Sequence, residues 1–145
     1  MQKGYTLIEL LTVMSIVIIT ATVALPSAVS TVKRDQLVTT VNQLSSTFKF
    51  ARSEAVKREE QIDLVESDGK WLVTLNGEVM LTFENKYENL IITGLDNLIV
   101  RSSGETTSIR ITIEDSDYVE NEYCFEVLVS GQSKMSKGGC NEENV

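Results

Sequence analysis

The stretch that decides the fold is Gly4–Leu25, which reads GYTLIELLTVMSIVIITATVAL. Between Tyr5 and Val32 the only charged residue is Glu9. The segment Leu7–Leu25 would extend roughly 28 Å as an α-helix at about 1.5 Å per residue, which is close to the thickness of a bilayer's hydrocarbon core. The sequence therefore predicts a long apolar helix near the N-terminus with one carboxylate close to its start.

Three interpretations of this helix are open. A secretory signal peptide would need a basic leader and a small-residue cleavage site, but Met1–Lys3 is barely basic and Glu9 would begin the apolar region. A plain membrane anchor leaves Glu9 unexplained, because a carboxylate at membrane depth is costly and usually has a partner. Cleavage after Gly4 would give Tyr5 a new α-amino group, just over one helical turn from Glu9. That amine could pair with the carboxylate, within one chain or between neighbouring chains.

The run Gly4–Leu11, GYTLIELL, resembles the class III prepilin signal of type IV pilins and type II secretion pseudopilins. The resemblance implies that a prepilin peptidase cleaves between Gly4 and Tyr5 and that the new amine of Tyr5 is methylated. It also implies that Glu9 engages an N-terminal amine during assembly. The usual residue after the cleavage site is Phe, and Tyr5 keeps the aromatic ring. Pro26 stands where many pilins carry a proline, and it predicts a kink in the helix.

The helical period continues beyond Pro26, with apolar residues at spacings of three and four. This seam predicts an amphipathic helix that packs on a β-sheet and ends near Arg58. Within it, Ala51–Arg58, ARSEAVKR, resembles a signature of H-type pseudopilins and FimT-like minor pilins. We expect Arg52 and Glu54 of this signature to face solvent. The seam consists of Leu37, Val41, Leu44, Phe48, Ala51 and Ala55.

From Gln61 the apolar period changes to two, which is typical of β-strands. Asn76-Gly77 between two such runs predicts a type I′ hairpin. We expect an antiparallel sheet of about six strands, covered on one face by the helix, in an α+β fold. The expected strands are Ile62–Val65, Trp71–Leu75, Glu78–Phe83, Leu90–Ile92, Leu98–Arg101, Ser108–Ile113 and Tyr123–Val129. The predicted organisation is a leader (1–4), a transmembrane or filament-core helix (5–32), an amphipathic helix (33–58) and a periplasmic β-domain (59–145).

Composition narrows the possible functions. The chain of 145 residues contains no histidine, which removes the commonest general base and metal ligand. Residues 1–58 carry seven Lys/Arg against three Asp/Glu, a net charge of +4, whereas residues 59–145 carry six against eighteen, a net charge of −12. An acidic body attracts nucleic acid poorly. We therefore expect no enzymatic activity and no cofactor.

One acidic segment could in principle bind calcium through carboxylate oxygens. It lacks the EF-hand spacing and glycine, so we interpret it as a solvated hairpin loop and expect no metal site. Its acidic residues are Glu114, Asp115, Asp117, Glu120 and Glu122.

Cys124 and Cys140 are the only cysteines. A membrane signal would place them outside the cytoplasm, where disulfides persist, and the FimT-like group tends to end with a cysteine pair around a glycine turn. We expect a Cys124–Cys140 disulfide that pins residues 131–139 back onto the sheet. A redox or metal role would call for a C-x-x-C motif or histidine, and the sequence has neither.

The resemblance implies a minor pseudopilin, a structural and assembly subunit of a type II secretion pseudopilus or a type IV pilus. Its implied partners are other pseudopilins or minor pilins, the prepilin peptidase, the inner-membrane assembly platform and membrane lipid. The implied location is a single pass through the inner membrane, with the N-terminus cytoplasmic and the C-terminal domain periplasmic. The alternative is a FimT-like minor pilin that binds DNA for transformation through its tail, where this chain offers only Lys134 and Lys137 and no arginine. Less specific alternatives are an anchored enzyme and a generic anchored β-domain.

Overall fold

The computed structural model describes residues 6–140, apart from the side chains of residues 23–27 and 118–121. Helix α1 runs from Leu7 to Arg58, and the chain divides into two compact units, residues 1–35 and 36–145. Within the first unit the large apolar side chains that are described are exposed, among them Leu7 at 78 % and Ile19 at 65 %. None of the described helices is long and apolar enough to cross a membrane. The side chain of Pro26 lies outside the described residues, so the kink stays a prediction.

The second unit contains eight strands in two antiparallel sheets. In one sheet the strand order is β3-β2-β1-β5, and in the other it is β4-β6-β7-β8. The strands are β1 (Ile62–Ser67), β2 (Lys70–Leu75), β3 (Glu78–Glu84), β4 (Leu90–Thr93), β5 (Leu98–Val100), β6 (Ile109–Asp115), β7 (Tyr118–Val127) and β8 (Ser133–Lys137).

The prediction of one sheet of about six strands was wrong, although the α+β class is confirmed. The chain changes sheets three times: after β3 it passes to β4, which pairs with β6, the next strand β5 pairs back with β1, and β6 returns to the other sheet. Strand alternation in the sequence reports which side chains are buried but not which strand is the neighbour. The prediction therefore missed the division into two sheets.

The acidic segment is also more regular than expected. Strand β7 begins at Tyr118 instead of Tyr123, and Glu122 lies opposite Glu114 in the β6–β7 ladder. Because acidic residues have low strand propensity, this part of the strand was not predicted from the sequence. The connection between β6 and β7 is only Ser116-Asp117.

The core lies between the second half of α1 and the two sheets. All six residues of the predicted seam are buried, which confirms the amphipathic helix. Phe48 of α1 meets Phe125 of β7 edge to face, with ring centroids 6.2 Å apart. The buried Trp71 of β2 donates from Nε1 to the carbonyl oxygen of Asp96 at 2.8 Å. These contacts belong to the core of the second unit.

The predicted hairpin is confirmed. Strands β2 and β3 pair with Leu75 opposite Glu78, and both turn residues have positive φ angles, 52° for Asn76 and 84° for Gly77. Asparagine and glycine tolerate this left-handed region better than other residues.

Candidate processing and assembly sites

Gly4 and Tyr5, the predicted cleavage pair, lie outside the described residues. Thr6 immediately precedes α1. Thr6 and Glu9 form a reciprocal cap at the start of this helix. The backbone N–H of Glu9 donates to Oγ1 of Thr6 at 3.3 Å, and the N–H of Thr6 donates to Oε2 of Glu9 at 3.5 Å. A Thr three residues before a Glu is the capping-box pattern, which satisfies two backbone donors that a helix start leaves unpaired.

This capping role of Glu9 was not among the predictions, although Thr-x-x-Glu before an apolar run is a known signal for a helix start. The carboxylate of Glu9 is exposed. It therefore has a local function in starting α1 and remains accessible to a charge from another group.

The end of α1 carries the ARSEAVKR signature, and the prediction for Arg52 was wrong. Arg52 is partly buried, and its Nε donates to the carbonyl oxygen of Gly104 at 3.1 Å. Ala51 and Ala55 are fully buried. The small side chains let the helix approach the sheets closely, which brings the arginine within reach of a backbone carbonyl in the β5–β6 connection.

The prediction for Glu54 was also wrong, because its side chain is only 12 % exposed. Its carboxylate accepts hydrogen bonds from Arg58 at 2.7 Å and from Lys57 at 3.5 Å. The bond from Arg58 is the main reason that the pKa of Glu54 is lowered from its ordinary value. Within the signature, then, Lys57 and Arg58 hold the acid that precedes them and also lie favourably at the helix C-terminus.

The disulfide between Cys124 and Cys140 is confirmed, with the two Cα atoms 4.9 Å apart. It does not pin a loose tail, because residues 133–137 form strand β8, which pairs with β7 along its whole length. The bond instead joins β7 to the segment just beyond β8. There the N–H of Gly138 also donates to the carbonyl oxygen of Glu122 at 2.8 Å.

Lys134 and Lys137, the proposed DNA contacts, lie three residues apart on β8 and so project to opposite faces of the sheet. Lys134 is paired in register with Glu126, whose carboxylate accepts a hydrogen bond from Arg110 at 2.9 Å. The two lysines thus do not form a single cationic surface, and one of them stands opposite a carboxylate.

The acidic segment does not form the solvated loop that was predicted. Asp115 is 1 % exposed, and its Oδ1 accepts a hydrogen bond from the N–H of Asp117 at 3.0 Å. The side chain of Glu120 lies outside the described residues. In the part of the chain that the structure describes, no three acidic, cysteine or histidine side chains are grouped to hold a metal ion.

Two family models match the sequence. One, described as type II transport protein GspH, matches residues 40–133, and the other, the prokaryotic N-terminal methylation motif, matches residues 1–25. A methylation motif followed by a long helix and antiparallel sheets defines a pilin-like subunit. The chain belongs to the GspH family and is a minor pseudopilin or pilin of type II secretion or type IV pilus systems.

The fold is similar to two kinds of solved structure. The type IV minor pilin FimU of Pseudomonas aeruginosa gives a TM-score of 0.63 at 15 % identity, covering 74 % of this chain and 97 % of that chain. The minor pseudopilin EpsH from the type 2 secretion system of Vibrio cholerae gives 0.55 at 13 % identity, covering 70 % of this chain and 97 % of that chain. No curated protein sequence matches significantly. The DNA-binding alternative is not supported by the families that match or by the similar structures.

Proposed function

We propose that this chain is cut by a prepilin peptidase between Gly4 and Tyr5, methylated on the new amine of Tyr5, and incorporated as a minor subunit into a pseudopilus or pilus. The observation that carries the proposal is the methylation motif over residues 1–25 in the same chain as the GspH domain over residues 40–133. Its partners in this function are other pseudopilins or minor pilins, the peptidase and the inner-membrane assembly platform.

Before assembly, residues 5–32 hold the subunit in the inner membrane as a single pass, with the N-terminus cytoplasmic and the C-terminal domain periplasmic. The exposed apolar side chains of α1 support this arrangement, since they would contact lipid first and the helices of other subunits later. The Cys124–Cys140 disulfide supports an oxidising compartment for the β-domain.

Glu9 engages the N-terminal amine of a neighbouring subunit during assembly. A buried carboxylate without a partner is strongly unfavourable, and a cationic amine offsets much of that cost. The capping contact with Thr6 supports this role, because it fixes the carboxylate at the first turn of α1.

The proposal is tested by a substitution that should block cleavage after Gly4. Gly4→Val puts a branched side chain next to the scissile bond, and we expect the variant to keep its full precursor mass in cells that contain the peptidase. Gln2→Val is the matched control in the same leader and should be cut normally. Intact-mass analysis of the membrane fraction measures both, and a mature N-terminus at any residue other than Tyr5 would refute the proposal.

A further inference from the structure

Two tight turns flank β2, one at each end of the strand. Asp68-Gly69 joins β1 to β2, and Asn76-Gly77 joins β2 to β3. Their backbones are alike, with φ angles of 52° and 73° in the first turn and of 52° and 84° in the second. Both glycines are exposed, and a Cβ on either would meet nothing within 4 Å. In each turn a carboxyl or carboxamide side chain therefore stands directly before an exposed glycine.

The two turns differ in their hydrogen bonds. The N–H of Gly69 donates to Oε1 of Glu66 at 2.9 Å. Among the residues that the structure describes, neither the N–H of Gly77 nor the side-chain amide of Asn76 has a hydrogen-bond partner. The backbone nitrogen of Gly77 and the side-chain carbon Cγ of Asn76 are therefore both accessible, whereas the nitrogen of Gly69 is engaged.

The strands hold the two turns unequally. Strands β1 and β2 pair without a shift over five consecutive residue pairs up to the first turn. The register of β2 and β3 shifts between Val73 and Thr74, so only two pairs lie between this bulge and the second turn, the last of them Leu75 with Glu78. Strand β3 is also at the edge of its sheet, with β2 as its only neighbour in the described part of the chain. Because few exposed backbone hydrogen bonds hold it, the tip beyond the bulge opens locally at a low free energy.

We propose that Asn76 is a site of spontaneous covalent modification, at which the nitrogen of Gly77 converts the asparagine to aspartate and isoaspartate. When the tip opens, this nitrogen attacks Cγ of Asn76, and the new N–Cγ bond closes a cyclic imide. The Cγ–Nδ2 bond breaks, and Nδ2 leaves as ammonia with the proton that the Gly77 nitrogen gives up. Water then opens the imide at either carbonyl carbon, which gives aspartate or isoaspartate. Glycine favours the attack because it has no side chain to shield its nitrogen.

The two products act differently on the hairpin. Aspartate keeps the backbone and adds a negative charge next to the exposed turn glycine and Glu78. Isoaspartate carries the main chain through the former side-chain carbon, so the turn gains a backbone atom. A two-residue loop with positive φ angles at both positions matches the twist of its strands, and the longer loop loses this match. Isoaspartate at position 76 therefore weakens the attachment of β3 to the edge of the sheet.

Incubation of the full chain in detergent at neutral pH tests the proposal. Peptides from timed samples are analysed by mass spectrometry, with electron-transfer fragmentation to distinguish isoaspartate from aspartate. We expect Asn76 to convert first. When half of it has reacted, Asn85 and Asn97 should remain intact, because hydrogen bonds hold their side chains and neither precedes a glycine. No conversion at Asn76, or earlier conversion at either of the other two asparagines, would overturn the proposal.

Asn76→Asp provides a matched comparison within one chain, because both turns then read Asp-Gly. The same attack forms the imide with loss of water in place of ammonia. We expect isoaspartate to form at position 76 at least about tenfold faster than at Asp68, since only the second turn opens locally with its glycine nitrogen unbonded. Fluorescence of the buried Trp71 confirms that the variant is folded. Equal rates at the two turns would show that the local structure does not select the site, and would overturn the proposal.

Discussion

Arg52 Nε in helix α1 donates a hydrogen bond of 3.1 Å to the carbonyl oxygen of Gly104, which lies 52 residues further along the chain. Gly104 is in the β5–β6 connection, where the chain passes from one sheet to the other. The β7–β8 connection joins at the same place, since the N–H of Thr106 donates to the carbonyl oxygen of Val129 at 3.0 Å. One side chain of the helix thus fastens the region where the two sheets and their connections meet.

Arg52→Met should remove this bond while keeping most of the apolar stem of the side chain. Because a hydrogen bond from a charged donor contributes about 1.5 to 3 kcal/mol, we expect the free energy of unfolding to fall by roughly that amount. Trp71, the single tryptophan, is fully buried and reports unfolding of the β-domain through its fluorescence in a urea titration. Lys49→Met, at an exposed position one turn earlier, is the control and should change stability little. An Arg52→Met variant as stable as the control would show that the bond contributes nothing.

Gly131→Ala should destabilise the β-domain more than Gly77→Ala, although the two glycines have similar backbone strain. Gly131 and Gly77 have similar positive φ angles, 74° and 84°. A Cβ on Gly131 would overlap the carbonyl oxygen of Gly104, whereas a Cβ on Gly77 would meet nothing within 4 Å. Since forced overlap costs about 1 to 3 kcal/mol, we expect Gly131→Ala to lower the free energy of unfolding by that much more than Gly77→Ala. Equal losses in urea titrations of the two variants would mean that the connections are not in tight contact.

Two substitutions at Glu9 should separate its capping role from its charge. Glutamine can serve in a capping box, so Glu9→Gln keeps the contact with Thr6 and loses only the negative charge. Glu9→Val loses both. If pairing with an amine drives incorporation, both variants should remain in the membrane fraction but fail to enter the filament. Quantitative immunoblots of membrane and sheared-filament fractions measure this. Normal incorporation of Glu9→Gln would show that the charge is not required.

Reduction of the disulfide should destabilise the β-domain without changing its sheet order, because β8 is held to β7 by its own ladder. For a closed loop of about this length the entropic model gives roughly 3 kcal/mol. We expect dithiothreitol to lower the urea midpoint of the wild type. The Cys124→Ala/Cys140→Ala double variant should have the lowered midpoint already and show no response to the reductant. If dithiothreitol lowered the midpoint of the double variant as well, its effect on the wild type would not come from reduction of the Cys124–Cys140 bond.

The lowered pKa of Glu54 predicts a contribution to acid sensitivity. Its carboxylate is stabilised in the folded state mainly by the hydrogen bond from Arg58. A group whose folded pKa lies below its ordinary value contributes stability above that value and loses it as pH falls through the folded pKa. Glu54→Gln should therefore be less stable than wild type at neutral pH, and the gap should close as the pH falls below 4.5, the ordinary value. Glu78→Gln, at an exposed hairpin position, is the control. If the difference in stability between wild type and Glu54→Gln did not change with pH, it would come from packing and not from the charge of Glu54.

The parts of the fold that could be predicted from sequence are those with a short-range cause. The seam from Leu37 to Ala55 follows from helical geometry, and the turn at Asn76-Gly77 follows from the φ angles that these residues tolerate. The Thr6–Glu9 cap belongs to the same category and was overlooked although its pattern spans only four residues. The disulfide pair could be predicted because the sequence contains only two cysteines.

The sequence by itself determined the pilin-like class, through the Gly4–Leu11 motif, and the positions of the long helix and the main hairpin. Only the tertiary structure decided that the strands form two sheets, that Arg52 meets Gly104, and that Lys134 and Lys137 face apart while Glu114 and Glu122 face each other. The physical reason is the distance along the chain between the residues that interact. Helix period, caps and turns depend on residues within one or two turns of each other, whereas strand neighbours depend on which distant segments bury the same core, and alternation along a strand is the same for every possible neighbour.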